Sequence, residues 1–445
     1  MRKDGETLLS NSFWSLLNQI TRIGSLAIVL IALSRHFGPE RFGALAFGLA
    51  FVRIFAVITA FGLERILVRH FVESTNKTNE ILRSAFRLKL SLGVLSYTSL
   101  LAIVVALDPH DRLTITIVAL AGVGLLFQAF DVFDYLFQAG NRFRLTFLGR
   151  TLPVLLSTGL KLGAIFLGAP LLVFAGLETV EAASIAAALF LIHRATHDHP
   201  QPTERIGNRG LLREGFPLLV GALAVMLYMR TDILLLGKFA GYQAAGIYSA
   251  AAQVTEACAL FPMAFMPALF PLLVRWRKQG PLFYRQQFEK LFLGAVLTGF
   301  AIALCLTITA PLVIRWLYGA AYASAAGILA IHAWSALFIY LSIMQSGYDI
   351  TEGLTWIAAW RTGAGAALNI LLNLTFIPCH GAAGSALATV ISQFCSSFLF
   401  NFVTSSTRPI FWMQLRAGLL LPLVRAMIKP QMREAPPDNR RPLPV

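Results

Sequence analysis

Long apolar runs separated by short polar segments dominate the chain. Twelve runs can be counted, at about residues 12–34, 42–62, 84–106, 113–137, 152–175, 179–196, 212–236, 246–273, 289–314, 323–348, 355–377 and 382–404. Each is close to the roughly 20 apolar residues that a helix needs to cross a membrane. The runs are continuous and about twice the length of a membrane-spanning strand. The pattern therefore predicts an all-α polytopic membrane protein with about 12 transmembrane helices.

The composition excludes a soluble protein. Of the 445 residues, 57% are hydrophobic and only 13% are charged, whereas soluble domains carry about 25% charged residues. The mean hydropathy is +0.68. The four cysteines are scattered through apolar runs without a CxxC pair, so we expect neither a disulfide scaffold nor a metal site.

The positive charge is distributed unevenly between the two sides of the membrane. The formal net charge is +15, a value that nucleic-acid-binding proteins also reach. If the N-terminus is cytoplasmic, 27 of the 37 Lys and Arg residues fall in segments on the inner side and five in segments on the outer side. Cytoplasmic loops carry the excess of Lys and Arg. We therefore predict that both termini are cytoplasmic, and we expect no nucleic-acid partner.

An internal repeat relates the two halves of the chain. The segment FGPERFGAL aligns with AGYQAAGIY at an offset of 203 residues, so that Gly38 matches Gly241 and Gly43 matches Gly246. Each segment joins the first and second spans of a group of six. Two copies with an even number of spans share one orientation. We predict two six-helix bundles related by a parallel internal repeat.

A second match supports the same duplication. Residues 182–187 pair with 384–389 at nearly the same offset, which places Glu178 and Glu181 at the outer start of the sixth span. A short apolar stretch over 410–424 predicts an interfacial helix, and the composition of the last residues, EAPPDNRRPLPV, predicts disorder. The expected domains are an N-terminal bundle (1–200), a cytoplasmic linker (201–211), a C-terminal bundle (212–405) and a cytoplasmic or interfacial tail (406–445).

Four segments carry a family resemblance. They are LSRHFGPERFGALAF (33–47), GLERILVRHF (62–71), LYGAAYASAAGILAI (317–331) and IPCHGAAGSALATVIS (377–392). Through them the chain resembles the polysaccharide-biosynthesis flippases, of the O-antigen type, within the multidrug/oligosaccharidyl-lipid/polysaccharide exporter superfamily. The resemblance implies two bundles around a central cavity that opens alternately to either side.

The resemblance also implies a function. Such a flippase moves undecaprenyl-pyrophosphate-linked oligosaccharide across the bacterial inner membrane for O-antigen or exopolysaccharide synthesis. Its expected partners are this cargo, membrane lipids, a coupling cation (proton or sodium), a polysaccharide polymerase and chain-length proteins. A lipid II flippase and a cation-coupled multidrug antiporter of the same fold are alternatives. The sequence contains no GxxxxGK[ST] or HExxH motif, so we expect neither an enzyme nor a cofactor.

Basic residues within the apolar runs are the candidates for binding cargo. The candidates are Arg22, Arg53, Lys161 and Arg361, and Asn18 shares a helix face with Arg22. A fifth, Arg230, lies near the outer end of its run, where it is expected to snorkel or to pair with Asp232. A charge at mid-bilayer costs about 2.5–3.5 kcal/mol on insertion scales, so such residues face a cavity or form pairs. Arginine binds phosphate oxygens with two donors, which suits a diphosphate. Similarity to functional arginines in the first two spans of lipid II flippases supports Arg22 and Arg53. An interhelical ion pair is the alternative for each.

Three acidic residues within the runs are candidates for ion coupling. Glu256 stands 203 residues after Arg53, so the repeat places an arginine in one half and a glutamate in the other. Asp131 and Asp134 lie on one helix face. Two carboxylates close together in a low dielectric do not both ionise readily, so one is a candidate proton carrier. The alternative is a buried structural pair, such as Arg53 with Asp131 or Asp134.

The charge bias predicts the topology directly. Reporter fusions after Thr203 and Gln279 should show cytoplasmic activity, and fusions after Pro109 and Ala320 should show periplasmic activity. The opposite pattern would overturn the assignment of every loop.

Overall fold

The computed structural model describes residues 2–73, 78–196 and 209–420. Every regular element in these ranges is a helix, in agreement with the predicted all-α class. The α-helices in chain order are α1 (Arg2–Ala60), α2 (Leu63–Glu73), α3 (Thr78–Leu107), α4 (Arg112–Gly122), α5 (Gly124–Phe127), α6 (Asp131–Ala139), α7 (Phe143–Phe166), α8 (Leu171–Thr196), α9 (Arg209–Phe239), α10 (Gly241–Lys278), α11 (Pro281–Tyr318), α12 (Ala325–His332), α13 (Ser335–Thr351), α14 (Thr355–Ser397) and α15 (Arg408–Gly418).

Eight helical segments of the described chain are long and apolar enough to cross a membrane. Two of them, Leu17–Glu73 and Thr355–Phe402, are each interrupted by a glycine with a non-helical backbone. A bent pair, Gly241–Met266 and Leu269–Lys278, turns by 50° and counts as a ninth segment if the two parts are taken as one span. Together with α7, these segments are consistent with the twelve predicted spans.

Glycines change the chain direction where the predicted repeat aligns them. Gly38 interrupts α1 with φ 71° and ψ 175°, and Gly241 opens α10 with φ 84°. Glycine adopts positive φ without the steric cost that a Cβ would add. Pro39 then begins the second part of α1, a position where its missing N–H costs little. The same turn therefore occurs at both aligned positions.

The predicted boundaries of the fifth and sixth spans are wrong. The fifth span was placed at 152–175 and the sixth at 179–196, but α7 ends at Phe166 and α8 already begins at Leu171. Apolar residues continue through the intervening turn and concealed it in the sequence. Gly168 takes φ 68° in this turn. As a result, Glu178 and Glu181 lie inside α8, two and three turns from its beginning, and not at its outer start.

Contacts between Cα atoms divide the chain into two compact units. The first comprises Met1–Gln253, Thr309–Leu329 and Thr362–Ala388, and the second Val254–Ile308, Ala330–Arg361 and Thr389–Val445. The first unit thus contains the whole of the first predicted bundle and parts of the second. The division into bundles at residues 1–200 and 212–405 stays a prediction.

Each unit has an apolar core. One core of the first unit joins α2, α3, α6 and α8 through buried residues that include Leu67, Leu88, Val132 and Leu189. The core of the second joins α10, α11, α13 and α15 through buried residues that include Leu273, Phe288, Tyr340 and Ile410. The interfacial helix predicted over 410–424 corresponds to α15, and residues 421–424 lie outside the described chain.

Within the first unit, α1 and α10 meet at the other pair of aligned glycines. A Cβ on Gly43 would overlap the carbonyl oxygen of Tyr242, and a Cβ on Gly246 would overlap that of Pro39. Pro39 and Tyr242 are themselves separated by the repeat offset, so the two contacts are reciprocal. Reciprocal contacts arise where a twofold axis relates two surfaces. This glycine contact, between Gly43 and Gly246, fits the parallel repeat.

Polar contacts flank the glycine contact in the same unit. Lys238 Nζ lies 3.2 Å from a carboxylate oxygen of Asp108, and its hydrogen bond lowers the pKa of Asp108. Tyr242 donates its phenolic proton to Asp111, and its oxygen lies 2.8 Å from Thr114 Oγ1. These contacts hold the loop between α3 and α4 against the turn between α9 and α10.

The glycine contact should not tolerate a methyl group. Gly43→Ala should separate α1 from α10, because backbone atoms that cannot move aside occupy the space. A bismaleimide linking Asp108→Cys to Lys238→Cys, in a background without the native cysteines, reports the separation as a lower cross-linked fraction. Gly163→Ala is the control, because a Cβ there meets no atom within 4 Å. An unchanged fraction with Gly43→Ala would show that the contact is not formed in the membrane.

Candidate functional site

The first group of buried charges lies where α3, α6 and α7 meet. Lys89 Nζ is 3.2 Å from Asp131, and its side chain is fully buried. Arg150 Nη2 is 2.8 Å from the other oxygen of Asp131, and its Nε is 2.6 Å from Asp134. Lys89 also donates to the hydroxyl of Tyr135 at 3.2 Å. Two basic and two acidic side chains thus neutralise one another inside the first unit.

This arrangement changes the argument for Asp131 and Asp134. The sequence predicted that the two carboxylates lie close together on one helix face, so that one of them could carry a proton. Both carboxylates accept hydrogen bonds from cations, so they do not face each other alone. One oxygen of Asp134, Oδ1, is buried and has no hydrogen-bond partner among the described residues. Their role in coupling stays a prediction.

Lys89, near the start of the run over 84–106, was not predicted as a site residue because it was one of the 27 Lys and Arg residues counted on the inner side of the membrane. A signal was present: Lys89 falls on the same helical face as Ala85, Gly93 and Ser96, all buried in α3. A lysine on the packed face of a span needs a carboxylate partner, since an unpaired charge there is costly. Arg150 was likewise assigned to a loop but lies inside α7, as its eighth residue.

The second group joins α7 to α8. Lys161 Nζ is 2.7 Å from Glu178 and 2.8 Å from Glu181, and Lys161 is only 5% exposed. Ser157, one turn earlier on α7, donates to Glu181 at 2.7 Å. Lys161 was predicted to bind cargo, and the structure places it in an ion pair with two acids. Its cargo role stays a prediction.

The third group lies in the second unit, between α13 and α14. Arg361 Nη2 is 2.7 Å from Asp349, and Nη1 donates to Asn401 at 2.9 Å. Arg361 and Asp349 are both buried. Asp349 had been assigned to a loop, whereas α13 continues to Thr351. Arg361 was also predicted to bind cargo, and that role likewise stays a prediction.

The first and third groups share one design. Arg150 is the eighth residue of α7 and Arg361 the seventh of α14, and each pairs with an aspartate on the helical segment before it. In the predicted scheme these helices are the fifth and eleventh spans, which correspond in the two halves. An arginine–aspartate pair therefore joins α7 to α6 and α14 to α13, and the predicted repeat would make these equivalent pairs of spans.

A further buried acid, outside these three groups, accepts hydrogen bonds from two neutral side chains. Asp232 on α9 accepts from the Tyr248 hydroxyl at 2.5 Å and from Asn373 Nδ2 at 2.7 Å. It is 3% exposed. These contacts tie α9, α10 and α14 together within the first unit.

The remaining predicted residues lie on α1 and α10. Asn18 accepts a hydrogen bond from Thr151 Oγ1 at 2.7 Å, which anchors the start of α1 to α7. Arg22, one turn further, is exposed, and Arg53 is half-buried in the second part of α1. Glu256 is half-buried in α10. The structure thus groups Asp131 with Asp134 but sets Lys161 and Arg361 in separate clusters.

The buried pairs should stabilise the protein only as pairs. Arg361→Ala leaves the carboxylate of Asp349 buried without its cation, which should cost about 3–5 kcal/mol. Arg361→Met combined with Asp349→Leu removes both charges and should recover most of that loss. The measurement is the thermal unfolding midpoint of the purified protein. Equal unfolding midpoints for the single and the double variant would show that the unpaired carboxylate of Asp349 is not the cause of the lost stability.

The fold is similar to that of solved membrane transporters. The lipid II flippase MurJ in an inward closed conformation superposes with a TM-score of 0.69 at 14% identity, over 95% of this chain and 93% of that one. A multidrug resistance MATE family transporter of the MOP superfamily, inward-facing, gives 0.66 at 14% identity, over 93% and 99%. A MOP superfamily transporter from Pyrococcus furiosus gives 0.62 at 14% identity, over 93% and 96%. At such low identity these matches show the fold.

Sequence comparisons add a relative and a family. The uncharacterized membrane protein MJ1068 of Methanocaldococcus jannaschii is 26% identical over 190 residues, which are 42% of this chain and 37% of that protein. The chain thus spans little more than a third of that relative. A family profile described as polysaccharide biosynthesis protein matches residues 8–276, more than half of the chain. The chain, a multi-pass membrane protein with a transporter fold and not an enzyme fold, therefore belongs to the polysaccharide biosynthesis protein family.

Proposed function

We propose that the protein is a flippase for undecaprenyl-pyrophosphate-linked oligosaccharide. The observation that carries the proposal is the family match over residues 8–276 on a chain with the fold of a flippase and of multidrug transporters. The cargo moves across the bacterial inner membrane by alternating access and feeds the synthesis of O-antigen or exopolysaccharide. A polymerase and chain-length proteins act on it afterwards.

The cargo sets a clear chemical requirement. Its diphosphate cannot enter hydrocarbon unless the protein replaces the water around its charges. Arginine remains charged and donates two parallel hydrogen bonds to phosphate oxygens. Lys161 and Arg361 already donate to carboxylates at 2.7–2.8 Å. We assign the main diphosphate contacts to Arg53 and Arg22, supported by Asn18, because both positions resemble those of functional arginines in the first two spans of lipid II flippases.

The environment of these arginines supports this assignment. Arg22 is exposed on a helix whose apolar window is long enough to span the membrane. A guanidinium there needs water, a lipid phosphate or an anionic cargo beside it. Arg53 is half-buried, so cargo can reach it. The ion-coupling role falls to Asp131, Asp134 and Glu256.

The alternatives share the fold. A lipid II flippase would use the same cationic contacts for a similar pyrophosphate, and a multidrug antiporter would rely on acids instead. The family description favours a polysaccharide precursor over both. Topology with both termini cytoplasmic belongs to the proposal, since it places the cargo entrance on the side where the precursor is made.

Arg53 should matter for transport and not for folding. In cells that depend on this protein, Arg53→Ala should lower surface polysaccharide at least about tenfold, the cost of losing hydrogen bonds between charged groups. Its abundance in the membrane should stay unchanged. Arg53→Lys should keep part of the activity, because a point charge replaces a two-pronged donor. Surface polysaccharide and membrane abundance are measured in parallel.

Arg150→Ala is the matched control for this prediction. It removes the same side-chain type but leaves Asp131 and Asp134 without their arginine, so abundance should fall along with export. Normal export with Arg53→Ala would contradict the proposal. A loss of membrane abundance with Arg53→Ala that is restored by a second substitution, of an acidic residue, would also contradict it.

A further inference from the structure

A basic cavity lies between the first turns of α11 and the short helix α15, within the second unit. Its volume is about 430 Å³. α15 is held beside α11 because Ile410, Met413 and Ala417 are buried in the core of this unit. The cavity is therefore part of the packed fold and is not formed by a loop. None of the residues assigned to cargo or coupling lines it.

The lining is strongly cationic. Three arginines, Arg285, Arg408 and Arg416, face one acid, Glu289. Arg416 Nη1 lies 3.0 Å from Glu289 Oε1, so that this acid is already neutralised. The lining retains two positive charges in excess. An anionic ligand is what such a cavity attracts.

Part of this lining is held in place before any ligand arrives. Arg408 Nε donates to the carbonyl of Phe402 at 3.1 Å, and its guanidinium lies 5.5 Å from the centre of the Phe402 ring. Glu289 is buried and fixes Arg416. Guanidinium groups fixed in this way lose little freedom when they bind phosphate oxygens.

The rim of the cavity is apolar. Leu282 and Trp412 line it and are 76% and 48% exposed, and Phe402 beside it is 50% exposed. Tryptophan is enriched at the level of the lipid headgroups, where one part of the ring is in contact with hydrocarbon and another with water. A soluble anion would use only the arginines. A lipid would use the arginines for its headgroup and the rim for its chains.

We propose that this cavity binds the phosphate headgroup of an anionic membrane phospholipid. The site is separate from the cargo site, and it lies at the end of the span that the charge bias assigns to the cytoplasm. Binding there would anchor α15 to the leaflet in which the proposed cargo is loaded.

Brominated lipids test the site through Trp412. The full chain is reconstituted in nanodiscs that contain increasing mole fractions of dibromo-phosphatidylglycerol or dibromo-phosphatidylcholine, and the quenching of tryptophan fluorescence is measured. The difference between this chain and its Trp412→Phe variant gives the contribution of Trp412. We expect half-maximal quenching at a lower mole fraction of phosphatidylglycerol than of phosphatidylcholine. Arg285→Gln should weaken the preference about fivefold, and adding Arg408→Gln about fivefold more. Arg285→Lys with Arg408→Lys should keep most of it.

Two controls separate this site from general surface charge. Arg275→Gln with Lys278→Gln removes the same charge from the same side, outside the cavity, and should leave the preference unchanged. An equal loss in this control would overturn the proposal, and so would equal quenching by the two lipids. Millimolar inorganic phosphate or pyrophosphate that abolishes the preference would show a site for a soluble anion. If Arg408→Gln disturbs α15, Arg285→Gln alone decides the outcome.

Discussion

A charge within the hydrocarbon of a membrane must either pair with a counter-charge or remain in contact with water or a polar ligand. Most of the buried architecture of this chain follows from that constraint. Lys89 and Arg150 meet two aspartates, Lys161 meets two glutamates and Arg361 meets an aspartate. Each of these ion pairs joins two different helical segments. The rotation of every helix involved is therefore fixed by a polar contact, whereas apolar packing against lipid-like neighbours discriminates only weakly between rotations.

The same constraint sorts the intramembrane charges by role. A cation that is paired with a carboxylate at 2.7 Å is poorly suited to bind and release a diphosphate, because the diphosphate would have to displace the carboxylate. The pairs on α7 and α14 join each of these helices to a neighbouring helical segment. We assign transport to arginines on α1, the helix whose second part meets α10 at the glycine contact between Gly43 and Gly246.

Much of the fold could be predicted from the sequence. Continuous apolar runs indicated the class, and the 203-residue offset aligned the two glycines, Gly38 and Gly241, at which the chain turns. The contact of Gly43 with Gly246 was not predicted, because an alignment of two segments does not show that they touch. The turn at Gly168 could not be found, because apolar residues run straight through it. Asp349 was misplaced for the opposite reason: polar neighbours made the end of a helix resemble a loop. The partners of Arg150 and Lys161 depend on how helices rotate and pack, which one sequence does not reveal. Lys89 is the exception, since its helical face was readable.

The central claim is that this chain itself moves a lipid-linked oligosaccharide from one leaflet to the other. Its most direct test uses purified protein in vesicles that contain a fluorescent polyprenyl-pyrophosphate-linked oligosaccharide in both leaflets. A membrane-impermeant reagent that destroys the exposed label is added. The account predicts that protein-containing vesicles lose nearly all of the label, whereas protein-free vesicles lose about half, because only one leaflet is accessible without a flippase. A loss of only half with the protein present, under an imposed proton or sodium gradient of either direction, would contradict it.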